Sequence, residues 1–282
     1  RVSGAVLGMG FLALYWLLRI AAFRARRRAG RYFVDPGSFP EAPGVGGPSV
    51  SVCVPARDEA AVIAGCVRSL LAQDYPGFHE LILVDDRSSD GTGERASEAA
   101  GGDPRFRLLA GEPPPAGWMG KSAALWRAQK EARGDWLLFV DADAVLHPRA
   151  LTVAMAAAAH HEAHMLSWFG QLETRSFWEH VLMPFIGDLI ALFSPLARVN
   201  DPARDDCIAN GQFLLVRRDA YDAIGGHEAI ATSVVDDISL ARALKFHPPA
   251  GRLRHVMLQG RGLMRVRMYD SFGAIWRGFA KN

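Results

Sequence analysis

The sequence predicts an α/β fold, with a Rossmann-like, mostly parallel sheet flanked by helices and a membrane-spanning helix before it. Three observations carry that prediction. Between Ser49 and Val140, short apolar runs alternate with segments whose apolar residues recur at helical spacing. Acidic residues gather just after two of those runs, as Asp85-Asp86 and as Asp141-Ala142-Asp143. The N-terminus is a nearly uncharged apolar stretch closed by arginines.

That stretch comes first. No charge occurs from Val2 to Leu18, and Ile20–Phe23 continues it past Arg19, approaching the roughly 20 residues needed to cross a bilayer. Arg24, Arg26, Arg27, Arg28 and Arg31 follow, with Tyr15 and Trp16 near the same end. Positive charge marks the cytoplasmic flank, so the expected location is the cytoplasmic membrane, with the remaining chain on its cytoplasmic face. A cleaved signal peptide has the reverse order of charge and apolar core. The plainer reading of the same residues is a buried N-terminal helix. Residues 1–23 are thus the expected anchor, and 24–48 a basic flank and Pro/Gly-rich linker.

From Ser49 the elements alternate. Ser49–Val54 is a strand reaching Pro55. Ile63, Val67, Leu70 and Leu71 mark a helix ending before Pro76. Leu81–Val84 is continuously apolar, as in a strand buried on both faces. Helix Thr92–Ala100, strand Phe106–Leu109, helix Lys121–Ala132 and strand Trp136–Val140 continue the β-α-β-α-β alternation to a fourth strand, which argues for a parallel sheet with right-handed crossovers. Beyond it, Ala150–His164 reads as an Ala-rich helix, Gln212–Val216 as a strand and Ile238–Lys245 as a helix opening at Asp236-Asp237. Phe177–Leu196 is very apolar and is broken by Pro184 and Gly187; it reads equally as core or as an interfacial segment. Met268–Asn282 is aromatic and basic.

Composition narrows the function. A net charge of +2 gives no electrostatic case for nucleic acid. Cys53, Cys66 and Cys207 form no CxxC pair and support neither a zinc site nor a disulfide scaffold. His160, His161 and His164 do not make a His-Glu-x-x-His pattern, because Glu162 precedes His164 by two positions. Gly117–Ser122 is not a P-loop, since Pro115 stands where the first glycine is required. Lys121 reads either as a phosphate contact or as a solvated lysine.

In open α/β sheets ligands bind beyond the carboxyl ends of the strands, where both acidic clusters fall. Neighbouring parallel strands would bring them to one rim, and Asp141 and Asp143, on alternate positions of an extended segment, could share a ligand. Carboxylates without nearby His or Cys favour Mg²⁺ or Mn²⁺, which bind substrate through phosphate oxygens. Crowded like charges call for a cation or a ligand. Ser88, Ser89 and Asp90 read as turn and cap residues.

The motifs Val54-Pro55-Ala56-Arg57-Asp58-Glu59, Val84-Asp85-Asp86-Arg87-Ser88-Ser89-Asp90-Gly91-Thr92, Gly117-Trp118-Met119-Gly120-Lys121, Asp141-Ala142-Asp143 and Asp236-Asp237 resemble those of family-two glycosyltransferases of the GT-A fold. They look like the membrane-associated branch that includes hopanoid-associated, carotenoid and ceramide glycosyltransferases. The resemblance spans Ser49–Asn282 and implies a donor-binding half over 49–145 and an acceptor and catalytic-base half over 146–282. It implies that Pro55, Arg57, Asp58, Glu59, Asp85, Asp86 and Lys121 surround the nucleotide-sugar donor, UDP-linked by preference. Asp141 and Asp143 would hold the metal on its diphosphate. Asp237, or its neighbour Asp236, would be the catalytic base. Gly211, Gln212, His227, Trp276 and Arg277 fall to the acceptor side, with Arg277 near the diphosphate. No Gln-x-x-Arg-Trp motif occurs, which favours transfer of one sugar over polymerisation.

A metal on the leaving side and a base on the acceptor side predict in-line displacement with inversion. The expected acceptor is lipid-like and the expected partner surface a bilayer. Arg252, Arg254, Arg261, Arg265, Arg267, Arg277 and Lys281 read as solvated surface or as contacts to anionic head groups. A processive polysaccharide synthase of the same fold, a metal-dependent nucleotidyltransferase and an inactive nucleotide-sugar-binding protein are the competing readings.

Overall fold

The computed structural model describes residues 10, 13–21, 24, 30–40, 47–247, 253–269 and 271–279. The expected anchor over 1–23 lies partly outside them, and Arg252 and Lys281 of the basic set lie outside as well. Residues 13–21 are helical, and no helix among the described residues is long and apolar enough to cross a membrane.

The main sheet has eight strands in the order β1 (Phe33–Val34), β10 (His255–Gly260), β7 (Met165–Phe169), β9 (Leu214–Arg217), β5 (Trp136–Phe139), β2 (Val50–Ala56), β3 (Phe78–Asp85), β4 (Phe106–Ala110). All neighbours are parallel except β9, which runs against both β5 and β7. A small second sheet orders β6 (Ala144–Leu146), β11 (Met264–Val266) and β8 (Gln171–Leu172).

The first half follows the expected series, with helices α1 (Ile63–Leu71), α2 (Thr92–Ala100) and α3 (Gly120–Glu131). β2 continues through Pro55, opposite Val84. Proline is tolerated there because pairing with β5 has already ended at Cys53–Phe139, so no ladder bond needs its missing N–H on that side. Strand residues alternate between two cores, as period-two geometry requires. Val52, Val54, Leu81 and Leu83 pack with Ile63, Val67 and Leu70 of α1. Cys53, Ile82, Val84 and Phe139 pack with Leu125 and Ala128 of α3 on the other face.

The second half departs from expectation. The Ala-rich helix α4 (Ala150–His160) stops four residues early, and Glu162 adopts a left-handed φ of 50° that turns the chain. This frees Met165–Phe169 to form β7, bonded on both sides to partners distant in sequence. The next segment is α5 (Phe177–Phe193), capped by Ser176 and Glu179, then α6 (Leu196–Val199). After β9 come α7 (Arg218–Ala223), α8 (Gly226–Ala229) and α9 (Asp236–Lys245), and α10 (Phe272–Phe279) closes the described chain. The strand expected at Gln212 begins at Leu214, because Asn210–Gln212 turn into the site.

Candidate active site

β3 and β5 flank β2 and do not touch, yet all three end on one rim. Beyond that rim lies a cavity of about 400 Å³ lined by Pro55, Arg57, Glu59, Asp86, Lys121, Asp141 and Asp143. Asp141–Asp143 is a turn and not an extended segment: the Ala144 N–H donates to the Asp141 carbonyl at 3.1 Å. The chain turns there from β5 into β6, and both carboxylates line the cavity from this turn.

The electrostatics of this cavity are those of crowded anions. Burial pushes the Asp143 carboxyl up to about 7, and the nearby Asp141 and Glu59 push it the same way. Glu59 is raised by burial and by Asp141. This oxygen-only donor set suits a hard divalent cation that keeps some of its ligands for water and phosphate. Among the described residues no group of three His, Cys, Asp or Glu side chains encloses such an ion by itself. Asp141 and Asp143 therefore fit a cation shared with a diphosphate.

Lys121 stands at the N-terminus of α3, where the helix dipole also favours anions. Its Nζ lies 2.7 Å from Asp141 Oδ1 and 3.7 Å from Asp236 Oδ2. Burial opposes its charge, but Asp141 and Asp236 outweigh burial and hold it protonated. Gly120 approaches Asp86 so closely that a Cβ there would lie 3.2 Å from Asp86 Oδ2. Asp86 itself pairs with Arg87 at 3.0 Å and lies 3.7 Å from Arg57.

Two of the expected donor residues turn elsewhere. Asp85 Oδ1 accepts the Ser88 N–H at 3.0 Å, and its other oxygen lies beside Gly93 of α2. Asp58, in a left-handed conformation at φ 54°, accepts the Ser89 N–H at 2.9 Å. Neither lines the cavity: Asp58 ties the loop after β2 to the loop after β3, and Asp85 braces the latter from within. Asp90 ties the same loops by accepting from Ala60 and Thr92, the turn role expected of it.

Across Lys121 lies Asp237. Its Oδ2 accepts the Gly211 N–H and its Oδ1 the Ile238 N–H, each at 2.8 Å. Burial raises its carboxyl, and the adjacent Asp236 adds to that. Gly211 is a close approach: a Cβ there would lie 3.1 Å from Lys121 Nζ and 3.5 Å from Asp237. Asp237 also lines a second cavity, of about 510 Å³, whose walls are apolar and include Leu172, Met183, Ile186, Ile190, Leu196 and Ile238, with Gln212 at the polar end. A chain of contacts only a few side chains long thus joins a carboxylate-lined cavity to an apolar one.

His227 is buried and lines neither cavity. The Tyr221 hydroxyl accepts the His227 backbone N–H at 2.9 Å and sits 2.8 Å from Nδ1. Burial drives the imidazole down to about 4. Trp276 and Arg277 sit on α10 and line neither cavity. Sequence reasoning passed over Asn210, whose amide bonds the Trp168 carbonyl at 2.9 Å and shapes the turn into Gly211. The Asn-Gly pair is the turn signal that marks it. It also passed over the α5 side chains of the apolar wall.

Comparison with known proteins agrees with this geometry. The family model described as Glycosyl transferase family 2 matches residues 51–225. The 4,4'-diaponeurosporenoate glycosyltransferase of Staphylococcus haemolyticus is 25% identical over 243 residues, 83% of this chain and 60% of that protein. A beta-monoglucosyldiacylglycerol synthase of Synechocystis is 30% identical over 207 residues, 71% of this chain and 41% of that protein. The chain thus spans 60% or less of the length of these two relatives. Among solved structures, the mannosyltransferase PcManGT from Pyrobaculum calidifontis, in complex with GDP-Man and Mn²⁺, superposes with a TM-score of 0.62 at 22% identity. That likeness covers 94% of this chain and 71% of the other, and shows the GT-A fold. The chain belongs to glycosyl transferase family 2.

Proposed function

We propose that the chain transfers one sugar, with inversion, from a UDP-sugar to the hydroxyl of a lipid-like acceptor at the cytoplasmic face of the membrane. The observation that carries this reading is the pairing of cavities: donor-type carboxylates on one side of Lys121, an apolar channel on the other, and Asp237 between. The two curated relatives, named for a carotenoid acid and for a diacylglycerol lipid, support a lipid acceptor. The arginine-rich flank after residue 23 supports the cytoplasmic face.

Asp141 and Asp143 would hold Mg²⁺ or Mn²⁺, which supplies Lewis-acid neutralisation of the leaving diphosphate. Lys121 adds a fixed positive charge beside them and also touches the base side. Asp237 takes the acceptor proton: its carboxylate is held by two backbone N–H groups and faces the apolar cavity. Asp236 is directed to Lys121 and so serves as its counter-charge. The aliphatic wall excludes water from the acceptor and so limits hydrolysis of the donor.

The test is UDP binding to the detergent-solubilised chain with and without Mn²⁺, beside Asp143→Ala, with GDP and ADP as competitors. Binding that requires the metal, prefers UDP and is lost in the variant is the expected result. Metal-independent binding unchanged by the substitution overturns the donor site.

A further inference from the structure

Helix α5 keeps a wide apolar surface on its outer side. Among its side chains only Glu179, Met183 and Asp188 are buried, Glu179 on the side of the site and Asp188 beneath the helical residues 13–21. Glu179 receives Arg267 at 3.0 and 3.3 Å and caps the helix start through the Ser176 N–H. Asp188 meets Arg19 at 2.9 Å. Several of its apolar residues point outward, with Phe177 71%, Trp178 46% and Phe193 73% exposed. A helix in water buries its apolar stripe and exposes its charges. Large aromatic side chains left outside on such a helix call for a covering partner, either another protein surface or an apolar medium.

The exposed face extends beyond α5. The Trp178 ring lies 5.0 Å from Phe272 on α10, and Phe272 stacks at 6.4 Å on Trp276, which is 68% exposed. The helical residues 13–21 pack on α5 through Tyr15 against Phe185 and expose Trp16 and Leu17. Contiguous apolar surface of this kind marks an interaction site. Its border is basic: Arg175 and Arg265 are largely exposed and share one carboxylate, Glu173, at 3.2 and 3.4 Å. Indole rings set beside arginines match the headgroup level of a bilayer, and the net positive border matches anionic lipid.

We infer that the outer face of α5, continued by Phe272 and Trp276 of α10, docks flat into the bilayer interface without crossing it. The inference deepens the lipid-directed reading above and rests on it for its purpose. The inward residues of α5, Met183, Ile186 and Ile190, wall the apolar cavity that leads to Asp237. One helix therefore separates lipid from site, and a lipid acceptor reaches the base without passing through bulk water.

The test reconstitutes the full chain in phosphatidylcholine vesicles, and in 3:1 phosphatidylcholine–phosphatidylglycerol vesicles, each with and without brominated acyl chains. Trp178→Phe/Trp276→Phe is compared with the unaltered protein. Docking predicts that bromolipid quenches the unaltered protein clearly more than the double variant, with the larger difference in the anionic vesicles. Equal quenching of the two proteins overturns the inference, whatever the N-terminal segment does. A surface covered by a second copy would show concentration-dependent shielding of both indoles without lipid, which also overturns it. Sugar transfer to lipid is measured on the same samples with UDP-sugar supplied and extracted membrane lipid blended into the vesicles, because phosphatidylcholine itself has no hydroxyl to accept a sugar. Transfer without the quenching difference refutes docking alone, and the quenching difference without transfer refutes the lipid-acceptor reading alone.

Discussion

Asp237 and Asp236 are adjacent carboxylates with different surroundings, and replacing each by asparagine separates their roles. Asp237 faces the apolar cavity and accepts two backbone N–H groups, one at each oxygen. Asparagine keeps one acceptor, so Asp237→Asn forfeits one hydrogen bond, a stability cost of about 1 kcal/mol. Its loss as a base is far larger, about 10²–10⁴ in rate or roughly 3–5 kcal/mol of barrier. Asp236 lies 3.7 Å from Lys121, where an effective dielectric of about 20 makes the raw attraction about 4 kcal/mol. The Lys121 side chain is 37% exposed and keeps Asp141 at 2.7 Å, so the net effect of Asp236→Asn shrinks to about 1 kcal/mol, roughly fivefold in rate. The assay is transfer of labelled sugar from UDP-sugar into extracted membrane lipid, with UDP affinity measured in parallel to show an intact donor site. If Asp236→Asn abolishes transfer while Asp237→Asn stays within about tenfold of the unaltered rate, the assignment of the base is wrong.

Lys121→Gln should lower UDP affinity by about tenfold, the worth of one charge-assisted phosphate contact, and titration calorimetry with Mn²⁺ present measures it. Gly226 has a φ of 52° and sits against the Tyr221 ring, where a Cβ would collide with it. Gly226→Ala should therefore cost about 2–4 kcal/mol in denaturant unfolding, and a cost under about 0.5 would show that α8 shifts freely. Burial holds His227 near 4 and His255 near 3, both below an unfolded value of about 6.5. Between those limits the unfolded chain binds more protons, so stability is full above pH of about 6.5 and falls on acidification, by roughly 1 kcal/mol per pH unit for each histidine. Urea unfolding at several pH values checks the sign, and a midpoint that rises as pH falls would contradict it.

The first half of the fold was legible because each element declares itself locally. The run Leu81–Val84 is apolar without interruption since both sheet faces are covered, and α1 repeats its apolar residues at helical spacing because one face is. Once those elements alternate, right-handed crossovers leave the acidic ends only one rim to share. The strands that escaped notice are those whose partners lie far along the chain: β7 pairs with β10, His255 opposite Met165, and neither run shows a period of its own. Within the site, residue type was legible but side-chain direction was not. Asp58 and Asp86 are both rim aspartates, yet a left-handed φ of 54° turns Asp58 into the loops while Asp86 faces the cavity. The same limit applies to α5. Its composition announces an apolar helix, but the choice between core and interface depends on where Glu179 and Asp188 point. Arg267, distant in sequence, draws Glu179 inward, while Arg19 covers Asp188 on the opposite side of the helix. The Arg267–Glu179 pair therefore fixes the inward side of α5 together with Met183, Ile186 and Ile190, and the aromatic residues at the helix start are left outside by that choice.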